Sequence, residues 1–63
     1  MPQPVRLAVE LTADQALALA QFVKRAGLSD YRPLARDDDE AYLMRDAGDQ
    51  VGHALAAAGF APR

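Results

Sequence analysis

At 63 residues the chain is one small domain, with a net charge of −2 and no cysteine, so disulfides and thiolate metal sites are excluded and a reducing cytoplasm fits. A domain this short buries only about 60% of its unfolded surface and commonly recruits a disulfide, a metal or a second subunit. One histidine, His53, cannot form a structural zinc site alone, which leaves oligomerisation as the expected remedy.

Charge is unevenly placed. Residues 1–29 sum to +1, residues 30–50 to −4, and Arg63 restores one positive charge. A nucleic-acid binder normally shows a net basic domain. No apolar run approaches the roughly 20 residues that span a bilayer, and no signal peptide follows Met1, so a cytoplasmic protein without membrane attachment is expected.

In chain order, Pro2 and Pro4 keep the N-terminus extended. "VRLAVEL", residues 5–11, alternates Val5, Leu7, Val9 and Leu11 with Arg6, Ala8 and Glu10, the period of a half-buried strand. Thr12 reads as a helix N-cap, and Gln15 completes a capping box. A first helix is predicted over 13–26, stopped by Gly27. Its wet stripe is narrow: Asp14, Ala18, Gln21 and Arg25, with Lys24 beside it. The remaining arc of roughly 220° is apolar, so this helix needs cover on two sides.

Residues 27–36 form a connector in which Pro33 prevents the first helix from continuing. Ser29 caps a single helical turn there, and Tyr31 and Leu34 fold back onto the core. A second helix is predicted over 38–58, with Asp37 as N-cap, Glu40 completing a box, and Asp38 and Asp39 in the first turn, where the helix dipole favours negative charge. Its apolar face carries Ala41, Met44, Ala47, Gly48, Val51, Ala54, Leu55 and Ala58; Asp38, Tyr42, Arg45, Asp46, Asp49 and His53 share the other. Gly48, Gly52 and Ala56 make a small-residue ridge. It reads either as a place where another backbone comes close or as local tolerance of glycine. Gly59 closes the helix, and Phe60 in the tail, 59–63, is available to pack back.

One strand and two helices leave a row of backbone groups without partners. An antiparallel pairing of residues 5–11 with the same segment of a second chain, about a two-fold axis, supplies them and also covers the first helix. The expected fold is therefore α+β and mostly helical: a β-α-α chain forming a homodimer through an intermolecular two-stranded ribbon. The expected core is Val5, Leu7, Val9, Leu11, Leu17, Leu19, Phe22, Val23, Met44, Val51 and Leu55, and Val5, Leu7, Val9, Leu11, Leu17, Phe22, Val51 and Leu55 form the dimer interface.

The order alternating strand, helix and "GLS" turn over residues 5–29 resembles the ribbon-helix-helix family. The resemblance implies a DNA-binding transcriptional regulator whose outward strand residues read bases in the major groove. Carried over by position, Arg6 grips guanine, Ala8 touches a thymine methyl, Glu10 accepts from cytosine, and Ser29 stands at the helix start that holds phosphate. The strings "AQFVKR", "DYR", "DDDEAYLMRDAG" and "AGFAPR" also look like a group of short uncharacterised bacterial proteins, often associated with plasmids or mobile elements.

Asp37, Asp38, Asp39 and Glu40 would repel phosphate at the second helix start. With Asp46 and Asp49 they suggest a second role, an acidic interaction module that masks a basic protein or mimics nucleic acid. No catalytic residues, metal ligands or cofactor sites are expected. Asp46, Asp49 and His53 share a helix face without a further ligand, and His53 has no nearby Ser or Cys nucleophile.

Overall fold

The structure, a computed structural model, describes residues 3–61. Pro2 and residues 62–63 of the tail lie outside the described residues. Three helices follow an N-terminal arm without regular secondary structure: α1 (Ala13–Arg25), the short α2 (Leu28–Tyr31) running into a 3-10 turn (Arg32–Leu34), and α3 (Asp38–Ala57).

Residues 5–11 are not a strand, and among the described residues there is no sheet. The β-α-α fold and its two-stranded ribbon are thereby corrected to an all-helical chain with an N-terminal arm. Alternation marks a segment that suits extended backbone, but a strand also needs a ladder and a face to lie on. This arm has neither, and Val5, Leu7 and Val9 are 83%, 82% and 72% exposed.

The ends of α1 and α3 are fixed locally. Thr12 Oγ1 accepts from the Gln15 N–H at 3.1 Å, and Gln15 Oε1 accepts from the Thr12 N–H at 2.9 Å. This reciprocal pair satisfies two N–H groups that the first turn leaves free. The α1 helix ends at Ala26, which turns to extended backbone; Gly27 has φ −111° and serves as the N-cap of α2 rather than as a left-handed stop. Gly59, at φ +95°, ends α3. Its N–H donates to the Ala56 carbonyl and the Phe60 N–H to the Leu55 carbonyl, a Schellman pairing that folds Phe60 back beside Leu55.

α1 and α3 run antiparallel. Val23 lies against Gly52, while Ala16 and Ala20 cluster with Leu55, so residue number rises along one helix as it falls along the other. The seam is built around Ala16, Ala20 and Leu55; the fourth buried side chain, Ala41, lies apart from it near the start of α3. Leu19 and Phe60 pack on the edge of the seam. The expected core is corrected accordingly, because Val5, Leu7, Val9, Leu11, Leu17, Phe22 and Val51 are all exposed. Leu19, Val23 and Met44 are half-buried, and only Leu55 is buried, within the chain's own seam. The wide apolar arc of α1 is covered on one side only.

The glycine ridge is a contact. A Cβ on Gly48 would stand 2.6 Å from the Tyr31 Oη, and one on Gly52 would stand 3.4 Å from Val23 Cγ2. Tyr31 thus folds back onto α3, whereas Leu34 remains 78% exposed, contrary to expectation. Gly52→Ala should stabilise the chain by about 0.5–1 kcal/mol in urea unfolding, since it gains helix propensity at ordinary contact distance. Gly48→Ala should instead destabilise it by about 1 kcal/mol, because the overpacking strain exceeds that gain. Adding Tyr31→Phe, which removes the obstructing hydroxyl, should recover most of the loss. If both alanines behave alike, the Tyr31 contact is not what holds Gly48.

Candidate interaction surface

The residues expected to read bases lie on the arm. Arg6, Ala8 and Glu10 are exposed in a segment without regular secondary structure, and among the described residues no strand is present to form a ribbon. Ser29 is exposed inside α2 and does not cap it. The Asp30 carboxylate instead accepts from the Gly27 N–H at 2.8 Å, so this helix start is occupied by the chain's own acid.

The start of α3 is occupied in the same way. Asp37 Oδ1 accepts from the Glu40 N–H at 2.9 Å. Glu40 reaches one residue further back than a capping box requires, accepting from the Arg36 N–H at 2.9 Å. Arginines then neutralise part of the cluster: Arg32 stands 3.5 Å from Asp38, and Arg36 lies 3.8 Å from Asp37 and 3.9 Å from Glu40. Further along, Arg45 pairs with Asp46 at 3.1 Å and lies over the Tyr42 ring at 5.1 Å. Asp39 and Asp49 make no ion pair among the described residues. The acidic stretch is therefore spent largely on capping and local pairing. A phosphate at either helix start would meet carboxylates already there.

The two sides of the helix pair differ. One side is an open groove lined by Val23, Lys24, Gly48, Asp49, Gly52, His53 and Ala56, with charges of both signs. Helical periodicity puts Phe22 of α1 on the opposite side, together with Ala47, Val51 and Ala54 of α3. Phe22 is 59% exposed and Val51 40%, and Leu43, one turn before Ala47, is more exposed still. On this side Phe22 shares an open groove with Gln21, Arg25 and Asp30, and Glu40 stands one heptad before Ala47 in the α3 stripe, so its apolar residues are bordered by charge.

Among the described residues, no three His, Asp or Glu side chains gather to hold a metal ion. Among the described residues no helix is long and apolar enough to cross a membrane.

One family model, described as a family of unknown function (DUF7706), matches residues 1–63, the whole length of the sequence. The chain belongs to that family. Neither a curated protein nor a solved structure matches it. Membership accords with the expected likeness to uncharacterised proteins, and it assigns no activity to the family's arm, seam or apolar face.

The burden carried by each acid can be separated by mutation. Asp37→Ala should cost about 1 kcal/mol in urea unfolding by removing the cap. Asp39→Ala, which removes neither a hydrogen bond nor an ion pair, should stay within about 0.5 kcal/mol of the parent. Equal losses at the two positions would show that net charge, and not capping, accounts for the cluster.

Proposed function

We propose that the chain is a small non-enzymatic protein–protein interaction module that docks through its apolar side. The observation that carries this reading is where the large apolar side chains stand. Ala16, Ala20 and Leu55 fill the seam, whereas Val5, Leu7, Val9, Phe22, Leu43 and Val51 face solvent. Apolar side chains gathered on an arm and on one helix face mark an interaction surface when they form a patch of several hundred Å². Their burial against a partner is favourable by about 25 cal/mol per Å² of apolar area before association costs are met.

The reading of DNA recognition by a strand ribbon has lost its ribbon. The remaining features also argue against a nucleic acid: a net charge of −2 and two helix starts filled by carboxylates. The acids fit the module differently. They cap α3, keep the chain soluble and favour partners whose rim is neutral or basic.

Affinity capture with the intact chain, followed by direct titration of each captured protein or of the chain itself, tests this reading. Saturable binding is expected, and Phe22→Asp with Val51→Asp should weaken it about tenfold or more while leaving the helical circular-dichroism signal unchanged. Because the contact is apolar, raising the salt concentration should change affinity little, unlike attraction to the acidic stretch, which is screened over about 8 Å at physiological ionic strength. Binding that the paired charges leave unaltered, or that vanishes with salt, would contradict the proposal.

A further inference from the structure

We draw no further inference here: the strongest candidate, the open groove beside Phe22 on the uncovered side of α1 and α3, supports no proposal, because nothing in the structure shows what covers it.

Discussion

The close approach of α1 and α3 governs the molecule. Two helices come together where side chains are small, and here Ala16 and Ala20 of α1 and Gly52 of α3 line the seam, while Gly48 receives Tyr31. Such a seam gains many short contacts, each small, yet removes little apolar area from water. Its consequence is an inversion of the usual order, with alanine inside and the larger Phe22, Val51 and Leu43 outside. The Schellman end at Gly59 and the fold-back of Tyr31 extend the seam at its two ends, bringing Phe60 and an aromatic ring onto it. Neither closes the apolar side.

The same economy explains the acids. A seam of alanines gives a helix little tertiary support, so its terminal hydrogen bonds matter more than usual. Thr12 with Gln15, Asp30 with Gly27, and Asp37 with Glu40 and Arg36 each place a side-chain oxygen on a backbone N–H that would otherwise lack a partner. The run "DDDE" is concentrated where the dipole of the longest helix begins. Filling those positions with fixed carboxylates also sets negative charge where an anionic ligand would otherwise sit. Local stability and rejection of phosphate are thus the work of the same atoms.

What could be read from the sequence follows the range of the interaction. Capping pairs three residues apart are local, and the Thr12–Gln15 and Asp37–Glu40 spacings correspond to hydrogen bonds in the structure. The glycine ridge was visible, but its occupant, Tyr31, reaches it only through the path of the connector. Period-two alternation misled because a paired strand and an unpaired arm share it; what separates them is a neighbour, and the sequence contains no residue that specifies one. The helical wheel of α1 showed the width of the apolar arc without showing which part α3 would take. The seam selected Ala16 and Ala20 and left Leu17 and Phe22 on opposite flanks. Ser29 does not cap its turn: the N-cap is Gly27, with Asp30 closing the turn.

A seam lined by alanine holds the helices together only while its side chains stay small. The most direct measurement is the urea-unfolding stability of Ala20→Leu, at a position with no exposure. Overpacking there should cost about 1–3 kcal/mol. A variant as stable as the parent would mean that the helices do not meet closely at Ala20, and would contradict the account.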